Sequence, residues 1–281
     1  MTKWDFPCSD PVDISIDSWV SGSIAVSGES TDTVIVEVEP SSHRGRPADL
    51  VDDVQVAFED GQLYIRGPRG ISFRPRIGLD LTIKAPAGSS CAAKTASADL
   101  SCVGAMSALS MNTASGDLTA ASVTGDVTVR SASGDVLLDT VGGDLTVHTA
   151  SGDTQARQVG GAVRINSASG DVSVGHCAGP VTARTASGDV NLDGIASGLV
   201  ELNSATGDLR VAVVPGIGVY LDLSSWSGSV RSYLDEVNNS DGDADAAVEI
   251  RARTMSGDIR ITKARAGRPE QVSLEPVDFG Q

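Results

Sequence analysis

Aromatic rings are what this chain lacks most: Phe, Trp and Tyr make up 4 % of its 281 residues, and none occurs between Phe73 and Tyr220. A globular core of that length normally uses rings as its largest filling units, so whatever this segment packs around must be narrow. Basic charge is also short, with 21 Lys and Arg against 37 Asp and Glu, a net −16 at pH 7. Binding to phosphate backbones rests on basic charge, which argues against nucleic acid as a partner. No stretch approaches the roughly 18 apolar residues of a membrane span, so no transmembrane segment is expected. The N-terminus, MTKWDFPCSD, has neither the basic start nor the apolar run of a secretory signal, and a cytoplasmic location is expected. Cys8, Cys91, Cys102 and Cys177 form no CxxC pair. That speaks against a zinc site or a disulfide scaffold and for reduced thiols, three of them buried.

What the chain does have is a repeat. Segments of the Ser-Gly-Asp type place aspartates at Asp99, Asp117, Asp135, Asp153, Asp171, Asp189 and Asp208, with Asp258 in a later copy. The steps are 18 residues five times and then 19, and Asp126, Asp144, Ala162 and Pro180 fall halfway between. Each unit therefore divides into two halves of nine. The residue after the Asp is apolar (Leu118, Val136, Val172, Val190), and so is the one two places on (Leu138, Val174, Leu192), with polar residues between. That alternation is a short strand with one buried face. A third inward position is expected at Ala132, Val141, Ala150, Val159, Ala168, Cys177, Ala186 and Ile195, small residues in one half facing larger ones in the other.

Nine residues leave about five for a strand and four for a bend built on Gly, Ser and Asp. Successive coils then stack in parallel at about 4.8 Å. The expected fold is all-β: a single-chain parallel β-solenoid with 18-residue coils, right-handed by the crossover rule. A hexapeptide helix would need apolar residues six apart, but from Val127 that step lands on Ser133 and Asp139. The calcium β-roll shares the nine-residue unit, yet here the apolar residue follows the Asp directly and the ligand loop is too short.

Residues 10–89 read as longer strands, with a hairpin turn at Asp60-Gly61, and are expected to cap the N-terminal end of the same stack. A separate small β-domain is the alternative. Residues 1–9 and 263–281 read as tails, 90–262 as the regular solenoid, and 235–246 as an acidic loop within it. Trp226 and Met255 stand where Ala186 stands in an earlier coil, so the coil is expected to widen there and its end to be plugged.

Three features could carry chemistry. The aspartate row must offset its own repulsion, either by accepting hydrogen bonds from turn amides or by holding cations. Identical recurrence argues against a catalytic pair, which needs two different environments. Second, a column of donors and cations runs down one half of the coils: Lys94, Asn112, Arg130, His148, Asn166, Arg184, Asn203 and Arg253, with Ser224 among them and a Thr/Ser column beside it. The other half, at Asp139, Arg157, Gly175 and Asp193, shows no such bias. The column reads either as a solvated face or as a groove for an extended glycan, an acidic peptide or an unidentified protein. His148 and the His176-Cys177 pair fall on different halves and make no metal site. Third, Arg66, Arg69, Arg74 and Arg76, with Arg44 and Arg46 upstream, form a basic loop that is either solvated or docks an acidic partner. No nucleophile elbow, phosphate loop, HExxH or dinucleotide fingerprint occurs, and no cofactor is implied.

The Thr-Ala-Ser-Gly-Asp-Val segments, as at 185–190, resemble those of the bacterial "putative adhesin" β-strand-repeat family, related to toast-rack domains. So do Ser21-Gly22-Ser23-Ile24 and the stretch Arg251-Ala252-Arg253-Thr254-Met255-Ser256-Gly257-Asp258-Ile259. The resemblance covers about 12–262. It implies a non-enzymatic, adhesin-like binding or scaffolding protein, with some relatives tied to envelope stress, and it supplies no catalytic residues. A polysaccharide-acting β-helix enzyme and a cation-stabilised structural solenoid are the alternatives.

Overall fold

The computed structural model describes residues 2–41, 48–68, 78–234 and 247–264. Its first part runs β1 (Thr2–Pro7), β2 (Asp13–Glu29), β3 (Thr33–Pro40), a short helix α1 (Ala48–Val51), β4 (Gln55–Glu59), β5 (Gln62–Arg66), β6 (Leu79–Pro86) and β7 (Ser90–Met106). Regular half-turns follow as β8 (Ala108–Thr113), β9 (Leu118–Val123), β10 (Val127–Ser131), β11 (Val136–Val141), β12 (Leu145–Ser151) and β13 (Thr154–Val159). They continue as β14 (Val163–Ser169), β15 (Val172–Cys177), β16 (Val181–Ser187), β17 (Val190–Ile195), β18 (Gly198–Thr206) and β19 (Leu209–Val213). The chain ends in β20 (Val219–Ser227), β21 (Val230–Ser232), β22 (Val248–Ser256) and β23 (Ile259–Lys263).

Each regular strand pairs in parallel with the strand one coil away, as Arg130 opposite His148 and Leu138 opposite Ala156 show. Even-numbered strands from β8 form one face and odd-numbered strands from β9 the other. This is the solenoid that the 18-residue period requires. Both faces turn Val, Leu, Ile and Ala inward, and Leu145, Val147, Val163, Ile165, Val190 and Leu192 are fully buried. Cys91, Cys102 and Cys177 are buried as well, and Cys8 is half-buried.

The third inward row differs from the expectation. On the even face strict alternation carries on past the two apolar residues, so Thr113, Thr149, Thr185, Ser204 and Thr254 turn inward and are buried. Ala132, Ala150, Ala168 and Ala186 therefore lie outside and exposed. On the odd face the inward step stretches to three residues, as from Leu138 to Val141, and both Asp139 and Thr140 face outward. Val141, Val159, Cys177 and Ile195 are buried there, as expected.

The bends change character along the stack. The Gly116 and Gly134 amides donate to the Thr113 and Ser131 hydroxyls at 2.9 and 2.7 Å. From Gly152 onward the amide donates instead to a carbonyl of the next coil, as from Gly188 to Thr206 at 3.1 Å. The inward hydroxyls of Thr149, Ser167, Thr185 and Ser204 are thereby released and have no hydrogen-bond partner among the described residues. At Gly188 φ is +144°, and an added Cβ would meet the Gly170 carbonyl oxygen at 2.1 Å, so only glycine fits this approach.

At the N-terminal end β2 is a full coil lying parallel to β7, and β5 and β6 stack on its two halves. Asp60 and Gly61, both at positive φ, turn β4 antiparallel onto β5. Residues 2–7 are not a tail: β1 pairs antiparallel with β3, because Trp4 and Phe6 alternate with charged residues and pack on the core. Trp19 occupies the row of the inward Thr column, opposite Thr95, and is 1 % exposed with its indole N–H on the Leu79 carbonyl at 3.0 Å. Trp19 is thus the ring that plugs the stack, with Phe6 and Phe58 stacked 5.3 Å apart beyond it.

The C-terminal end corrects a second expectation. Trp226 and Met255 continue the outward Ala column, and they are 92 % and 67 % exposed. They plug nothing. Nor do the last coils stack in sequence order: β22 pairs with β18 on one side and β20 on the other, and β23 lies likewise between β19 and β21. The chain lays down its end coil at 219–232 and then returns to fill the gap with 248–263.

Candidate functional site

The polar column of the even face is one continuous row. Strand register sets Lys94 beside Asn112, then Arg130, His148, Asn166, Arg184, Asn203, Arg253 and finally Ser224. The returning coil places Arg253 before Ser224, the reverse of their sequence order. All eight candidate side chains point away from the core, since alternation puts them between two inward positions. The Thr/Ser column beside them turns inward: Thr113, Thr149, Thr185, Ser204 and Thr254 are buried, and Thr95, Ser131, Ser167 and Ser225 half-buried.

Charge along the row is uneven. Arg184 is paired with Glu201 at 3.2 Å and Arg253 with Asp222 at 3.1 Å. The Arg184 guanidinium, with help from the Asn203 amide at 3.1 Å, holds the Glu201 carboxyl below its ordinary range. His148 shares a hydrogen bond with Asn166 at 3.4 Å. Lys94 and Arg130 carry no ion pair among the described residues. The unneutralised positive charge therefore gathers at the N-terminal part of the row, two coils or about 10 Å apart.

The aspartate row is occupied by the backbone. Each Oδ1 accepts the amide N–H of the aspartate one coil on, from Asp117 onto Asp99 at 3.0 Å through Asp153 onto Asp135 and Asp171 onto Asp153 at 2.8 Å to Asp258 onto Asp208 at 2.9 Å. Ser229 closes it on Asp258 at 2.8 Å. A second, shorter ladder runs from Asp126 to Asp144 to the Ala162 amide. No group of three metal-ligating side chains occurs among the described residues.

Of the basic loop, Arg66 sits 3.6 Å from Asp17. Arg69, Arg74 and Arg76, with Arg44 and Arg46, lie outside the described residues, as does the acidic stretch 235–246.

Two features escaped the sequence. On the odd face a cleft of about 270 Å³ is lined by Asp139, Gln155, Arg157, Ser173, Gly175 and Asp193. The ion pair of Arg157 with Asp139 forms one wall, and Gly175 leaves the floor bare. The column looked unbiased because acid, base and glycine alternate in it; opposite charges one coil apart were the available signal. The other feature is the end coil, where Tyr220, Trp226, Val230 and Tyr233 are all exposed. Among buried thiols, the hydrogen bond with Cys91 and burial together push Cys102 well up, which keeps it protonated and unreactive.

A family model described as Toastrack DUF4097 matches residues 12–262. No curated protein matches the chain. Solved structures similar to it include a "putative adhesin" from Bacteroides fragilis, at 13 % identity and TM-score 0.41, with 92 % of this chain and 96 % of that one covered. A "putative lipid binding protein" from Parabacteroides distasonis is similar at 17 % identity and TM-score 0.44, over 93 % and 96 %. A second protein from that species, a "putative adhesin", has 12 % identity and TM-score 0.38 over the same shares.

Proposed function

The chain belongs to the Toastrack DUF4097 family, and on that footing we propose that it works without catalysis, as an elongated solenoid that binds an extended anionic chain. The ligand runs along the row from Lys94 to Arg253, and an acidic glycan or an acidic peptide fits its chemistry. The observation that carries this reading is the pair of unneutralised cations, Lys94 and Arg130, on one face of a protein of charge −16. Elsewhere on the surface several cations do meet a carboxylate, as Arg164 meets Asp144 at 3.3 Å. An extended ligand lying along the coils meets a donor every 4.8 Å or so.

Catalysis is disfavoured because the carboxylates recur in one setting, each bonded to a turn amide, whereas acid–base work separates two environments. A cation-dependent solenoid is disfavoured because each ladder aspartate spends Oδ1 on that amide. The test is binding of the full chain to arrays of acidic glycans and acidic peptides, beside K94Q/R130Q/H148Q. Binding that the triple variant loses supports the proposal. Binding at unchanged affinity in the variant, no binding at all, or turnover of a glycan would overturn it.

A further inference from the structure

The two ends of the stack are built differently, and the difference points to a second copy of this chain. The N-terminal end has its core covered by rings, although β1 and β4 each pair on one side only among the described residues. Trp19 fills the core, the Phe6–Phe58 stack covers it, and the edge strand β1 carries Lys3, Asp5 and Pro7, residues that discourage further pairing.

The C-terminal end has no such cover. Among the described residues β20 pairs only with β22 and β21 only with β23, so one side of each offers free backbone donors and acceptors. Val219, Leu221 and Leu223 face inward yet are only partly buried, whereas the matching Val248, Ile250 and Ala252 of the next coil are 0 % exposed. Tyr220, Trp226 and Tyr233 are 57 %, 92 % and 54 % exposed, with Met255 beside Trp226. So large an apolar surface on an open strand edge is a template for another strand.

We propose that two copies join end to end about a two-fold axis, each pairing its β20 antiparallel with the other's. Head-to-tail stacking would set this apolar edge against β1 or β4, the one-sided strands of the opposite end, which carry Lys3, Asp5, Pro7 and Glu59 and offer it no apolar match; a self-complementary, isologous contact suits it instead. The strand suits it. With the axis at Leu223, Tyr220 lies opposite Trp226 of the second copy, Asp222 opposite Ser224, and Leu221 opposite Ser225. Aromatic meets aromatic, and no like charges face each other. On β20 the one carboxylate, Asp222, is held by Arg253, and Arg231 on β21 adds a positive charge. Joined in this way, the two narrow cores run on as one.

Sedimentation of the full chain across the micromolar range tests the proposal. The expected result is a monomer–dimer equilibrium that Trp226→Lys weakens by at least about tenfold; this side chain is exposed, so the monomer keeps its fold. In a Cys8→Ser background, Y220C/W226C is expected to give a disulfide-linked dimer under mild oxidation. A chain monomeric throughout that range overturns the proposal, and if removal of residues 265–281 then yields a dimer, that segment is the occupant. A dimer that survives Trp226→Lys and gives no 220–226 cross-link overturns it too.

Discussion

Replacing Asp153, in the middle of the aspartate ladder, separates the two forces that act there. Its Oδ1 accepts the Asp171 amide at 2.8 Å, and its own amide donates to Asp135. Neighbouring carboxylates about 4.8 Å apart repel by roughly 0.9 kcal/mol in water, and physiological salt screens that to about half. With one neighbour on each side, removing the charge relieves about 1 kcal/mol. Asp153→Asn keeps the acceptor but loses its charge, which costs about 1 kcal/mol of hydrogen-bond strength. The two effects cancel, and D153N is expected within about 0.5 kcal/mol of the parent. Asp153→Ala gains the same relief but leaves the Asp171 amide to water. It is expected about 1 kcal/mol below D153N. Urea midpoints of both variants supply the comparison, and hydrogen exchange at the Asp171 amide localises it. Equal midpoints, with Asp171 exchanging no faster in D153A, would refute the idea that the ladder bonds offset their own repulsion.

The bends offer a paired test. Thr113→Val removes the hydroxyl that serves the Gly116 amide and should destabilise by about 1 to 3 kcal/mol, whereas Thr185→Val removes an unpartnered hydroxyl and should be neutral or stabilising; equal losses in thermal melts would contradict the switch in bend type. At the end coil, the Ser229 amide and hydroxyl hold the Asp258 carboxyl below its ordinary range. A lowered folded pKa contributes stability that is present above the unfolded value of about 3.9 and disappears as pH falls through the folded one. Asp258→Asn should therefore flatten the acid limb of stability against pH, and an acid limb unchanged in that variant would count against the assignment.

The period of nine and the place of Val136, Leu138 or Val190 in it were open to reading, because a strand buried on one side writes its alternation directly into the sequence. That the aspartate row needs partners was legible for the same reason: like charges recurring at one height need donors or cations between them, and the structure supplies turn amides. The third row was misread where polarity was weighed above alternation. Thr149 is two places past Val147 and belongs inside, whatever its hydroxyl costs, and Ala150 follows it outside. The row from Lys94 to Arg253 survived that error, since it depends on alternation alone. The stacking order of 219–232 and 248–263 was not legible. Both segments carry the same half-turn pattern, and any coil of such a stack can lie against any other, so only the geometry of the connections decides. The cleft at Asp139 and Arg157 was missed although the three-residue step of the odd face was expected, because acid, base and glycine alternate in its column and leave no bias to read.

The returning coil has a mechanical consequence. In a stack wound in strict order, tension on the C-terminus peels the outermost strand, breaking its ladder one bond at a time. Here the C-terminal strands β22 and β23 are held on both sides, and tension on Lys263 loads two parallel ladders in shear at once. The outermost coil shares that load through its β21–β23 ladder. Force applied at the C-terminus is therefore met where the stack is double-clamped, one coil in from its free edge.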